Sequence, residues 1–60
     1  MKILNIVQCS DPLLWYRQYI NMSVPFVYED SKYYWAREVD GYMNIVYKDD
    51  AILQEVEDGH

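Results

Sequence analysis

Apolar and polar positions alternate most clearly across Tyr33–Asp50, YYWAREVDGYMNIVYKDD, which holds half of the chain's ten aromatic residues. The pattern predicts two β-strands, Tyr33–Val39 and Tyr42–Lys48, joined by a two-residue Asp40-Gly41 turn. Such a turn sets Val39 opposite Tyr42, Arg37 opposite Asn44, Ala36 opposite Ile45 and Trp35 opposite Val46. The paired side chains then sort into two faces. Tyr34, Ala36, Met43, Ile45 and Tyr47 share one, expected in the core because small Ala36 meets branched Ile45. Trp35, Val39, Tyr42 and Val46 share the other, where the polar Arg37–Asn44 pair argues for solvent. A lone hairpin is marginal in water, so the flanking segments are expected to cover it.

Those segments read as further short strands. Lys2–Gln8, rich in Ile and Val, has strand length rather than helix length. Ser10-Asp11-Pro12 is a sharp turn signal. Leu13–Met22 then predicts a long, irregular, aromatic-rich loop carrying a turn or short ribbon, with a single helical turn as the alternative. Ser23–Asp30 alternates Val24, Phe26 and Tyr28 against Ser23, Pro25 and Val27, a strand with Pro25 near its start or on an edge. Glu29–Lys32 is a polar connection, Lys48–Ala51 a tight helical turn, Ile52–Val56 a closing strand, and residues 57–60 a frayed end. The whole predicts one all-β domain over residues 1–60, a closed or partly closed five-stranded barrel.

Composition narrows the function classes. Ten acidic residues stand against five scattered basic ones, a net charge of −5. This argues against nucleic-acid binding, which needs massed Lys and Arg; acidic mimicry of nucleic acid stays open as an alternative. Cys9 is the single cysteine and His60 the single histidine, at opposite ends of the chain. They are poor material for a metal site or for a nucleophile and its base. The Glu29-Asp30 and Asp49-Asp50 pairs read as turn residues, and no glycine-rich phosphate loop exists. The expectations are no enzyme, no metal and no cofactor. No apolar run approaches the ~20 residues needed to span a bilayer, and the N-terminal stretch reads as a strand rather than a signal peptide. With a lone cysteine, that points to the cytoplasm. Asn21-Met22-Ser23 matches the glycosylation acceptor pattern by chance on this reading.

The C-terminal half resembles the Src-homology-3-like (SH3-like) barrel family. Tyr33-Tyr34-Trp35-Ala36-Arg37 is similar to that family's aromatic-aromatic-x-Ala-Arg strand, followed in its order by Gly41, Ile45-Val46, the turn at Lys48–Ala51 and the strand Ile52–Val56. Cys9–Met22 would take the place of its first long loop. The family's Ala-Leu-Tyr-Asp-Tyr run is absent, its Pro-Ser-Asn-Tyr run is replaced by Tyr47-Lys48-Asp49-Asp50, and only Tyr33 matches a peptide-holding position. The resemblance thus implies the fold more than proline-peptide binding. Trp15-Tyr16, Ile20, Phe26, Tyr34, Glu38, Gly41-Tyr42 and Asp49 also resemble the pattern of small phage-encoded proteins. That resemblance implies a cytoplasmic accessory protein that binds and inhibits a host enzyme or defence protein.

The function expected from these readings is a non-enzymatic protein-binding module. Its contact surface would be Trp35, Arg37, Val39, Tyr42 and Val46, joined by Trp15 and Tyr16 from the long loop. Trp35 and Tyr42 would be anchors and Arg37 an orienting charge. The alternative of another class is a homodimer or homo-oligomeric structural subunit closed by the same patch.

Overall fold

A computed structural model describes residues 1–57. Five antiparallel strands carry the chain: β1 (Lys2–Ile6), β2 (Ser23–Glu29), β3 (Tyr33–Arg37), β4 (Met43–Tyr47) and β5 (Ala51–Glu55). Two 3-10 turns, Trp15–Gln18 and Lys48–Asp50, are the only helical pieces among the described residues. The strands hydrogen-bond in the order β4-β3-β2-β1-β5. That order and the long first loop are consistent with an SH3-like arrangement. The sheet is not closed, and β4 and β5 are its two edges. The expected fraying of the chain end from residue 58 lies outside the described residues.

β2 serves two ladders. Ser23–Pro25 pair with β1 and Phe26–Glu29 with β3. Pro25 is harmless in the first ladder. The Ile6 N–H bonds the Met22 carbonyl at 2.9 Å, so by alternation Ile3–Pro25 is a non-bonded pair and no ladder bond is lost. Between the two ladders the register slips at Val27: Phe26 pairs with Ala36, and Tyr28 with the very next residue, Trp35. This bulge turns Phe26 inward, edge-to-face on Tyr34 at 6.1 Å, and Tyr28 outward onto Trp35. Strict alternation would have left Phe26 and Tyr28 on one face.

The β3–β4 hairpin departs from the two-residue turn. The Glu38 N–H bonds the Tyr42 carbonyl at 2.7 Å, and the Gly41 N–H bonds the Glu38 carbonyl at 2.9 Å. The loop is therefore three residues, Val39-Asp40-Gly41, a turn followed by a left-handed residue. Gly41 takes that position with φ 97°, and Asp40 is not among the residues with positive φ. The extra residue shifts the pairing by one: Tyr34 faces Val46, Ala36 faces Asn44, Trp35 faces Ile45 and Arg37 faces Met43. A one-residue slip exchanges the two faces of one strand. Val46 is consequently core, and Met43, Ile45 and Tyr47 look outward with Tyr33, Trp35 and Arg37.

The core is small and draws on nearly every element: Leu4, Ile6, Tyr16, Val24, Ala36, Val46 and Ala51 are buried. Cys9, Leu14, Trp15, Phe26, Tyr34 and Leu53 pack around them half-buried. The first loop reaches this core through a buried polar hub. The Asp50 carboxylate, wholly inaccessible, accepts bonds from the Tyr16 hydroxyl at 2.6 Å, the Ser10 N–H at 3.0 Å, the Ser10 hydroxyl and the Gln8 side-chain amide at 3.1 Å. Burial alone would raise this carboxyl, but the bonds from Ser10, Tyr16 and Gln8 outweigh it and hold Asp50 below its usual value. Burial, then the bond to Asp50, pushes the Tyr16 hydroxyl well above the ordinary range.

The same loop caps one edge of the sheet. Glu38 and Tyr42 form a bonded pair, so alternation turns the backbone groups of Ile45 and Tyr47 away from β3. The Trp15 indole donates to the Ile45 carbonyl at 2.7 Å, and the Tyr47 N–H donates to the Tyr16 hydroxyl at 3.2 Å. The Ile45 N–H is met by the Asn44 side chain at 2.8 Å. Side chains thus occupy edge groups that a further strand would otherwise pair.

Candidate functional site

The outer face of β2–β4 carries a row of apolar side chains across the three strands: Tyr28, Trp35 and Ile45, set side by side by the pairing register. Tyr28 and Trp35 stack with centroids 5.7 Å apart and planes 3° apart. Beyond Ile45, Met43 flanks Arg37 toward the hairpin turn, where Val39 and Tyr42 stand out. Tyr28 is 46 % exposed, Met43 47 %, Tyr42 72 % and Val39 92 %. Trp35 is half-buried, so it is neither walled in nor free.

Trp35 is fixed by Asp30 as well as by Tyr28. One Asp30 oxygen accepts the Lys32 N–H at 2.9 Å and the Tyr33 N–H at 2.7 Å; the other accepts the Trp35 indole N–H at 3.0 Å. Asp is suited to this turn because its short carboxylate reaches backbone two and three residues on. The indole bond, then the two backbone bonds, lower the Asp30 carboxyl to about 2. A negative charge is thereby held beside a partly exposed aromatic pair. At the other end of the face Arg37 donates to the Gly41 carbonyl at 2.7 Å, which ties it to the turn.

The expected site residues divide. Trp35, Arg37, Val39 and Tyr42 lie on this face or at its turn. Val46 does not, because the register shift buries it against Tyr34, and Tyr16 does not, because its ring and hydroxyl complete the core and the Asp50 hub. Trp15 is half-buried at the β4 edge and lines a groove of about 330 Å³ with Tyr19, Val24 and Pro25, which Arg37 and Val39 also line. Tyr28, Asp30, Met43 and Ile45 belong to the face although the sequence reading left them out. Asp-Ser-Lys after a strand was a legible turn signal for Asp30. Tyr28 was hidden by the bulge, Met43 and Ile45 by the extra loop residue.

No group of three or more His, Cys, Asp or Glu side chains converges among the described residues. No helix among them is long and apolar enough to cross a membrane. Compared with known protein families, with curated proteins and with solved structures, the chain gives no significant match.

Proposed function

We propose that the chain is a non-enzymatic protein-binding module on an SH3-like scaffold, with the outer face of β2–β4 as its contact surface. The observation carrying this reading is the row Tyr28–Trp35–Ile45, continued by Met43, Tyr42 and Val39, which leaves large apolar side chains in water around an indole of fixed orientation. Pre-set aromatics bind at low entropic cost, which is why such residues anchor interfaces. Trp35 and Tyr42 are the anchors on this reading, and Arg37 orients the partner. In the form suggested by the resemblance to phage-encoded proteins, that partner is a host enzyme or defence protein, and binding blocks it.

The test uses Tyr42→Ala and Trp35→Ala, each measured for thermal unfolding and for retention of the proteins captured by the parent chain from a cell lysate. Tyr42→Ala is expected to keep its melting temperature and to lose the captured partner. Undiminished capture by both variants, or capture losses that track unfolding alone, would remove the surface. Self-association is the second reading, favoured by how few hydrophobic residues are buried in so short a chain. Light scattering across concentration decides it: a strict monomer rejects it.

A further inference from the structure

We infer that the anchor this face takes from its partner is an arginine side chain, laid on the Tyr28–Trp35 pair with its guanidinium on Asp30. The inference rests on the contact surface proposed above and adds the chemistry of the occupant. A carboxylate offers about four acceptor positions. Lys32, Tyr33 and Trp35 fill three of Asp30's, which leaves one on the oxygen that already holds the indole. Among the described residues Asp30 has no ion-pair partner: the pairs found are Lys48 with Glu29 at 2.8 Å and the N-terminus with Glu55 at 3.0 Å.

Neither neighbouring lysine makes an ion pair with Asp30. Lys48 lies close enough to Asp30 to contribute to its low pKa, but it is bonded to Glu29 and sits over the Tyr34 ring at 5.4 Å. Lys32 lines the groove it shares with Ser10, Tyr47 and Lys48. A carboxylate with no direct ion pair among the described residues and one open acceptor position, beside a partly exposed aromatic pair in a chain of net charge −5, is complementary to a cation with a flat face. Guanidinium meets both demands, because it stacks on aromatic rings and donates in the same plane, which ammonium cannot.

The test titrates the full chain with N-acetyl-arginine amide and with its uncharged isostere, N-acetyl-citrulline amide. Binding is read from the indole N–H resonance of Trp35, assigned with Trp35→Phe. The arginine probe is expected to bind about fivefold more tightly than the citrulline probe. Asp30→Asn keeps a neutral acceptor for the turn and is expected to erase that difference. Equal affinity of the two probes overturns the cationic anchor while leaving the aromatic surface standing, and so does an arginine preference that survives in Asp30→Asn. Silence of the Trp35 resonance to both probes overturns the anchor as well. The surface itself falls only by the capture experiment on Tyr42→Ala and Trp35→Ala.

Discussion

The Tyr16 hydroxyl is the atom whose removal is expected to cost most for its size. It donates to the buried Asp50 carboxylate at 2.6 Å and accepts the Tyr47 N–H at 3.2 Å on the β4 edge. Tyr16→Phe keeps the buried ring and deletes both bonds. A hydrogen bond to a charged group contributes ~1.5–3 kcal/mol, and a stranded buried polar group costs ~1–3 kcal/mol. Tyr47 is only half-buried, so water relieves part of the second term. The sum is about 3 kcal/mol. A domain of this length has a total stability of ~3–9 kcal/mol, so the change removes a third of it or more. At ~4–8 °C per kcal/mol for a small domain, the midpoint drops by roughly 12–24 °C.

Urea and thermal melts of Tyr16→Phe against the parent chain measure this, with Tyr42→Phe as a control whose exposed ring should leave stability within ~0.5 kcal/mol. A double-mutant cycle with Asp50→Asn isolates the pair and is expected to give a coupling of at least ~1 kcal/mol. A Tyr16→Phe melt within about 1 kcal/mol of the parent, at unchanged denaturant slope, would refute the claim that the hub holds the first loop to the core.

Gly41→Ala is expected to destabilise by ~1–2 kcal/mol in a urea melt: an added Cβ meets nothing within 4 Å, so the loss is backbone strain at φ 97° alone. Trp15→Phe strands the Ile45 carbonyl on the β4 edge and should cost ~1 kcal/mol beyond the change in packing, with faster amide exchange in β4 as its signature. Acid should release Trp35. Because the folded Asp30 carboxyl sits near 2 rather than 3.8, its contribution is complete above about pH 4 and is lost as pH falls toward 2. Trp35 fluorescence should change over that window and not in Asp30→Asn. Asp50, also held low, loses its contribution in the same direction below pH 4, so the acid slope of stability should be shallower in Asp50→Asn.

The number of strands, their sequence positions and the 3-10 turn before β5 were legible because turn residues punctuate this chain at short intervals: Ser10-Asp11-Pro12, Asp30-Ser31-Lys32 and Asp40-Gly41 each end an element. A short helical turn in the first loop, held as the alternative, is what Trp15–Gln18 forms. Pairing was less legible. Asp-Gly is compatible with a two-residue loop and with a three-residue loop whose last position is the left-handed one, and in both cases Gly supplies the positive φ. The two solutions differ by one residue of register, which period-2 patterning distinguishes only if the two faces differ strongly in polarity. In β4 they do not: Met43, Ile45 and Tyr47 are as apolar as Val46, and the polar Asn44 ends up on the inner side, bonded to Glu38 at 2.7 Å.

The composition of the candidate face follows from two single-residue irregularities acting together. The bulge at Val27 turns Tyr28 outward, and the third loop residue turns Ile45 and Met43 outward. With both in place, Tyr28, Trp35 and Ile45 fall into one row; without the bulge Val27 would stand beside Trp35, and without the third loop residue Val46 would. Neither irregularity leaves a composition signal, because Val27 and Val39 are ordinary strand residues by type. What a sequence carries is the reason the row is tolerable once formed: Asp30 satisfies the indole N–H, and the turn carbonyl of Gly41 engages Arg37. Polar residues bracketing an aromatic strand are therefore better pointers to an exposed face than the alternation of the strand itself. In this chain they bracket Trp35 from both ends.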